Sequence, residues 1–172
     1  MTTEVPAFIW ALLAHAAIGG TDVILNHEMI ARLPRQPNAG AEQRCHAMRE
    51  ALFALIFPAL AWWEWHGAWL AVIVLLFALE IWVSTIDTII EWETRRLPWT
   101  ERVEHVALFI NYGIIGALLG VRALDWAHAP AELVRVDYGW ASWVLTALAV
   151  VSLAWAIRDT RNVMQRGRVR PA

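Results

Sequence analysis

The sequence predicts an all-α polytopic membrane protein with about five transmembrane helices. Hydrophobic residues make up 59% of the chain and the mean hydropathy is +0.45, well above the values typical of soluble domains. Proline, glycine and polar residues divide the chain into apolar stretches close to or longer than the ~20 residues that cross a bilayer as a helix. These stretches cover about 6–33, 38–65, 68–96, 100–126 and 138–158.

The chain of 172 residues is long enough for one domain, and we expect a single transmembrane domain over 1–172. Its predicted parts are a first repeat at about 6–65, a second at about 68–126, an extra helix at about 138–158 and a basic cytoplasmic tail at 159–172. The N-terminus has Glu4 where a signal peptide has basic residues, so we expect the first helix to remain in the mature protein.

The arginines predict the orientation in the membrane. They flank the first and third turns between helices and follow the last helix, whereas the opposite side carries only Arg122 and Arg135. The positive-inside rule then places the N-terminus outside and the C-terminus in the cytoplasm, in a bacterial inner membrane. The expected partner is the lipid bilayer and not nucleic acid. Cys45 is the only cysteine, which excludes an intrachain disulfide and a cysteine-based zinc site.

One pattern of acids and histidines occurs twice inside the apolar helices. The first copy is Asp22, His27, Leu33-Pro34 and Glu42-x-x-x-His46. The second copy is Asp87, Glu91, Leu97-Pro98 and Glu101-x-x-x-His105. An acid near the bilayer centre costs ~2.5–3.5 kcal/mol, so the five carboxylates would cost on the order of 10–15 kcal/mol if they were unpaired. Two divalent or trivalent metal ions would bring roughly the matching positive charge.

Helical geometry predicts that these side chains meet. In the second and fourth helices each Glu–His pair is spaced i,i+4, and so are Asp87 and Glu91, so each pair shares a face. Asp22 and His27 are spaced i,i+5 and share a face only if a π-bulge interrupts the first helix. Without a bulge, Asn26 or Glu28 could take the place of His27. In two antiparallel hairpins, groups at similar distances from the turns lie at similar depth. The predicted ligands are Asp22, His27, Glu42, His46, Asp87, Glu91, Glu101 and His105.

Carboxylate and imidazole ligands suit iron, manganese or zinc. We therefore expect two metal ions, iron or manganese or both, with zinc as a further candidate. The alternative is a set of buried hydrogen bonds in which Arg49, Arg96 or Arg102 neutralises the acids. Three other acids are expected to lie outside the metal site. Glu28 should form a salt bridge with Arg32, Glu50 should support His46 or carry protons, and Glu104 should face away from His105 into solvent or the interface.

The pattern resembles the ferritin-like dimetal carboxylate proteins, whose four-helix bundles combine single carboxylates with Glu–His pairs. The resemblance covers the first four helices and implies a bundle made of two repeated hairpins. This chain has Glu-x-x-x-His where that family has Glu-x-x-His, which changes the oxygen that can bridge two metals. The chain also resembles uncharacterised bacterial integral membrane proteins with RLP-containing repeats. In the second repeat, that pattern continues through Arg102 and Asn111-Tyr112-Gly113.

These observations predict a membrane-embedded dimetal oxidoreductase that acts on a small oxidant or a lipophilic substrate. One alternative is a b-type cytochrome with His46 and His105 as axial ligands. Another is a metal or proton transporter, because acids inside a membrane often mark ion paths. The fifth helix could pack on the bundle or form a homodimer contact.

Overall fold

The computed structural model describes residues 4–36 and 38–169, with side chains described up to residue 166. Over these residues the protein is helical apart from one short two-stranded ribbon and the connecting turns. The helices are α1 (Ala7–Thr21), α2 (Gly40–Trp62), α3 (Leu70–Thr94), α4 (Trp99–His128) and α5 (Trp140–Val169). A π-helical segment over Asp22–Ile30 continues α1, and 3₁₀ turns cover Leu33–Arg35 and Gly67–Trp69. The strands are β1 (Trp63–Trp65) and β2 (Leu133–Arg135).

Four helical segments are long and apolar enough to cross a membrane, which agrees with the predicted membrane protein. They are Ala7–Ile30, Gly67–Thr94, Trp99–His128 and Trp140–Arg166. Their outward faces carry many exposed large apolar side chains, such as Trp82 and Val121, as expected of a surface in contact with lipid. The α2 helix falls outside this group because it carries charged residues in its first half. The α5 helix runs past the expected end at 158, and residues 170–172 of the predicted tail lie outside the described residues.

The helices pack mainly with partners that are not their neighbours in sequence, apart from the consecutive pair α2 and α3. The α2 helix lies against α5 and α3, while α1 lies along α4. The consecutive pairs α1–α2 and α3–α4 touch much less. Consequently α5 packs on the rest of the chain through α2. This is one of the two possibilities that the sequence left open for the fifth helix.

The apolar core and the polar cluster occupy different ends of the bundle. At the end that carries β1 and β2, which we call the ribbon end, buried aromatic and aliphatic side chains from all five helices form the core. Its fully buried members include Ile9, Leu12, Ile56, Leu60, Ile73, Ile115, Trp126 and Leu145. The predicted acids and histidines lie at the other end, beside the turns after the π-helical segment and after α3.

The ribbon joins the end of α2 to the connection between α4 and α5. Trp63 pairs with Arg135 in antiparallel register, and the Arg135 guanidinium lies 4.3 Å from the centre of the Trp62 ring. Gly67 follows in a left-handed conformation with φ of +55°, where a Cβ atom would lie 2.8 Å from Cα of Ala131. Only glycine meets both conditions without strain.

Candidate metal centre

The π-helical segment brings the first two predicted ligands to the same side of their helix. It is nine residues long, and Asp22, Asn26 and His27 are its buried members. Because its wider turns shift the register by one residue, His27 Nε2 lies 3.6 Å from Oδ2 of Asp22 despite the i,i+5 spacing. The predicted π geometry is therefore confirmed, over a longer segment than a single bulge.

Each alternative to His27 already has another partner for its side-chain oxygen. The Nδ2 atom of Asn26 donates to Oδ1 of Asp22 at 2.8 Å, while its Oδ1 accepts a hydrogen bond from Thr100. Glu28 forms a salt bridge of 2.6 Å with Arg158 of α5. The prediction of a Glu28–Arg32 salt bridge was therefore wrong. The chain leaves the helix at Arg32, which has a left-handed conformation with φ of 49°.

One group of potential ligands joins the π-helical segment to α4. Ligand atoms of Asp22, His27, Glu101 and His105 all lie within 4.8 Å of one another. His27 Nε2 is 3.1 Å from Oε1 of Glu101, and His105 Nε2 is 3.3 Å from Oδ2 of Asp22. Two acids and two imidazoles from two packed helices thus face a common point.

A second group joins the π-helical segment to α2 and α3, because ligand atoms of His27, His46 and Glu91 lie within 4.8 Å of one another. His46 Nε2 lies 3.5 Å from Oδ2 of Asp87 and 3.7 Å from Oε1 of Glu91. The ring centres of His27 and His46 are 4.2 Å apart, so the two groups adjoin. The other oxygen of Glu91 is 3.4 Å from His105 Nδ1, which makes Glu91 the residue that touches both groups.

The third group of acids surrounds Arg95. Ligand oxygens of Glu42, Glu91 and Glu101 lie within 4.8 Å of one another. Arg95 Nη2 is 2.6 Å from Oε1 of Glu42, and its Nη1 donates to Oε2 of Glu101 at 2.8 Å. Burial alone would lower the pKa of Arg95, but hydrogen bonds to Glu101 and Glu42 outweigh burial and raise it. Arg95 is therefore a permanent cation at this position.

Of the three arginines that were expected to neutralise the buried acids, only Arg49 contacts them. Its Nη1 is 3.3 Å from Oδ2 of Asp87 and its Nε is 3.6 Å from Oε1 of Glu80. Arg96 and Arg102 are exposed, and Arg95 takes the role instead. Arg95 follows the last residue of α3 with an extended backbone, which turns its side chain inward.

Several ligand atoms in the cluster are buried and have no hydrogen-bond partner among the described residues. They are His27 Nε2, His46 Nε2, His105 Nε2, Asp87 Oδ1 and both carboxylate oxygens of Glu91. Leaving one such atom unsatisfied costs about 1–3 kcal/mol, and folded proteins rarely do so. Their convergence on carboxylates and imidazoles fits the donor set of a first-row transition metal.

The charge of the cluster also fits bound cations. Buried Asp159 pairs with Arg158 of the same helix. The other buried acids are Asp22, Glu42, Glu80, Asp87, Glu91 and Glu101. Arg49 and Arg95 are the arginines in contact with them, which leaves an excess of four negative charges when the six acids are ionised. Two divalent metals would carry four positive charges. Protonation of His27, His46 and His105 would offset three of these charges, because each Nε2 atom lies 3.1–3.5 Å from a carboxylate oxygen.

All eight predicted ligands lie at one place, which we call the carboxylate–histidine cluster. Seven of them belong to the three close groups, and Asp87 adjoins His46 and Arg49. Sequence reasoning missed Arg95, although an arginine inside the repeated turn was a usable signal. It also did not predict the contact of Glu104, which is half-buried and whose Oε2 accepts from Nδ2 of Asn26 at 2.5 Å.

Comparison of the chain with protein-family models, with curated proteins and with solved structures finds no match. The arguments about function therefore rest on the geometry of the cluster and its surroundings.

Proposed function

We propose that this chain is an integral membrane protein that binds two metal ions in the carboxylate–histidine cluster and acts as an oxidoreductase on a small oxidant or a lipophilic substrate. The observation that carries the proposal is the set of buried, unpartnered ligand atoms on His27, His46, Asp87, Glu91 and His105. They come from the π-helical segment, α2, α3 and α4, and the imidazole Nε2 atoms lie 3.1–3.7 Å from carboxylate oxygens without hydrogen-bond geometry.

The groups divide naturally between two metal positions. Asp22, His27, Glu101 and His105 would hold one ion. His46, Asp87 and Glu42 would hold the other, and Glu91 would serve both because its two oxygens face His46 and His105. The donor set favours iron or manganese, with zinc as a further candidate. When bound, such ions would supply redox and Lewis-acid chemistry toward oxygen or peroxide.

We further propose that α1–α4 form a ferritin-like four-helix bundle made from two repeated hairpins. Support comes from residues at matching positions of the two repeats. Glu42 and Glu101 both bind Arg95. His46 and His105 both lie against Glu91. The two repeats thus supply equivalent ligands from opposite sides of the cluster.

The α2 helix would be the fifth transmembrane span. It lies along α3 and α5, and its charged residues Glu42 and Arg49 face the interior, whereas Met48 and Leu55 are exposed. Arg44 is exposed too, but it lies near the first turn of α2, at the arginine-rich end. A helix can therefore carry these charges across a bilayer without presenting them to lipid. The arginine distribution supports an N-terminus outside and a C-terminus in the cytoplasm, in a bacterial inner membrane.

The protein's own residues would control access and protons. Arg95 closes the cluster on the side of the turn after α3. Glu50 lies one helical turn from His46 on α2, and its Oε2 is buried without a hydrogen-bond partner. Glu50 would therefore hold or release a proton beside His46.

The geometry favours this function over the two alternatives from the sequence. A haem between His46 and His105 would need the space taken by Glu91, whose oxygens contact both imidazoles. A transporter needs a path through the protein, whereas Arg95 and Arg49 bind the acids on two sides of the cluster.

The proposal is tested with purified protein in detergent that is loaded with Fe²⁺ without oxygen and then exposed to oxygen or peroxide. Consumption of the oxidant in the presence of ascorbate is followed with an electrode, and the optical spectrum is recorded. We expect wild-type protein and a His66→Ala control to consume oxidant and His46→Ala to fail. Equal consumption by His46→Ala and wild type would overturn the proposal.

A further inference from the structure

A cavity of about 170 Å³ lies between α1, α2 and α5, directly beside the carboxylate–histidine cluster. Most of its lining is apolar and includes Phe53, Phe57, Leu108 and Leu148. The cavity is partly open, and Gly20, Ile24 and Val151 in its lining are exposed. These residues lie on apolar spans, so the opening would face the bilayer.

The inner end of the cavity is polar. Asp22, His46, Arg49 and Glu50 line it there, and Trp155 of α5 adds an indole. Apart from His46 Nε2, which faces Asp87 and Glu91, three polar atoms on these lining residues are buried and lack a hydrogen-bond partner. They are Arg49 Nε, Glu50 Oε2 and Trp155 Nε1. The cavity therefore offers two unused donors and one carboxyl oxygen to a ligand.

The charges argue against an anionic ligand. Arg49 is the only arginine in the lining among the described residues, and it already pairs with Asp87 and Glu80. Glu50 and Asp22 add further carboxyl groups. A fatty-acid carboxylate or a phosphate would meet this excess of acids without a free cation, which is a strongly unfavourable arrangement in a buried site. A neutral head with hydroxyl or carbonyl oxygens meets no such penalty.

The size of the cavity limits that head to one ring. A protein cavity of about 150 Å³ takes up benzene, so a cavity of about 170 Å³ suits one six-membered ring with small substituents. An alkyl tail on the ring would leave between α1 and α5, past Ile24 and Val151, into lipid.

We propose that this cavity binds a neutral, lipid-soluble molecule whose ring-sized head carries hydroxyl or carbonyl oxygens. The head lies among Glu50, Arg49 and Trp155, next to His46, and the tail extends into the bilayer. This inference rests on the proposed function, because it places the lipophilic substrate beside the metal cluster. It also gives α5 a role, since α5 forms one wall of the binding site.

Full-length protein in phospholipid nanodiscs is titrated with a decyl-tailed hydroquinone by calorimetry, and with decanoate as the anionic comparison. Gly20→Leu is the blocking variant, because Gly20 lines the cavity and has open space where a side chain would start. Gly116→Leu on α4 is the matched control, because Gly116 also has open space but lies away from the cavity. We expect Gly20→Leu and Glu50→Gln to weaken hydroquinone binding at least tenfold and Gly116→Leu to leave it unchanged.

Equal hydroquinone binding by Gly20→Leu and wild type would overturn the inference, and so would decanoate binding as tight as that of the hydroquinone. The metal content of the same samples separates this result from the proposed function. Hydroquinone binding to a wild-type protein that holds no metal would support the cavity and contradict the dimetal site. Metal-loaded protein that fails to bind hydroquinone would contradict the cavity proposal alone.

Discussion

His27 Nε2 lies 3.1 Å from Oε1 of Glu101, which joins the π-helical segment after α1 to the first turn of α4. Each residue belongs to a different copy of the repeated sequence pattern. The contact exists because the π-helical segment turns His27 to the same side as Asp22, and Glu101 approaches that side from α4. The two copies of the pattern therefore interleave their acids and histidines in one cluster.

Deleting one residue tests the role of the π-helical segment. Removal of exposed Ile24 leaves Asp22 and His27 four residues apart, the spacing that already places Asp87 and Glu91 on one face of α3. We expect this variant to form a regular helix and to retain bound metal. Removal of exposed Ile89 from α3 should abolish metal binding, because it rotates Asp87 away from Glu91 by about 100°. Loss of metal in the Ile24 deletion, with retained helicity by circular dichroism, would refute the register argument.

Arg95 should compete with metal for Glu42 and Glu101. In metal-free protein, Arg95→Gln leaves these buried acids without their cation and should lower stability by about 3–5 kcal/mol. Added Mn²⁺ should raise the melting temperature of Arg95→Gln by more than that of wild type, since the ion then no longer competes with a guanidinium for the two carboxylates. Arg96→Gln is the control because Arg96 is exposed. The idea fails if Mn²⁺ raises all three melting temperatures equally.

Much of the site was readable from the sequence, because the spacing of Glu42 and His46 and of Glu101 and His105 fixes which side chains share a helix face. The choice between Arg95 and Arg96 was not readable. It depends on the backbone angles of the residue that follows α3. The sequence does not distinguish two adjacent arginines, because both are the same residue type in the same turn. The packing of α5 on α2 was equally hidden, because α5 is apolar on most faces and its sequence alone does not distinguish a lipid-facing side from a buried one.

Gly67 should be sensitive to any side chain. Gly67→Ala would place Cβ 2.8 Å from Cα of Ala131 at a φ of +55°, and we expect a loss of about 1–3 kcal/mol. Gly113→Ala is the control, because Gly113 has open space around its Cβ position. Thermal melts in detergent measure both variants. A Gly67→Ala variant as stable as Gly113→Ala would contradict the close approach at the ribbon end.

Orientation in the membrane can be measured with single cysteines. Buried Cys45 is first replaced by alanine, and exposed Asp137 or Arg35 is then changed to cysteine. In intact spheroplasts, a membrane-impermeant maleimide should label Asp137→Cys, whereas Arg35→Cys should react only after lysis. The reverse pattern would show that the arginine-rich turns face outward, against the positive-inside rule.

The central claim is that the cluster holds metal, and elemental analysis of purified protein tests it most directly. Wild type is compared with a Glu101→Ala/His105→Ala variant and with a Glu64→Ala/His66→Ala control that removes the same residue types near the ribbon end. We predict about two metal ions per chain in wild type and control, with no Soret absorption, and almost none in the cluster variant. Wild-type protein without metal, or an unchanged metal content in the cluster variant, would contradict the account.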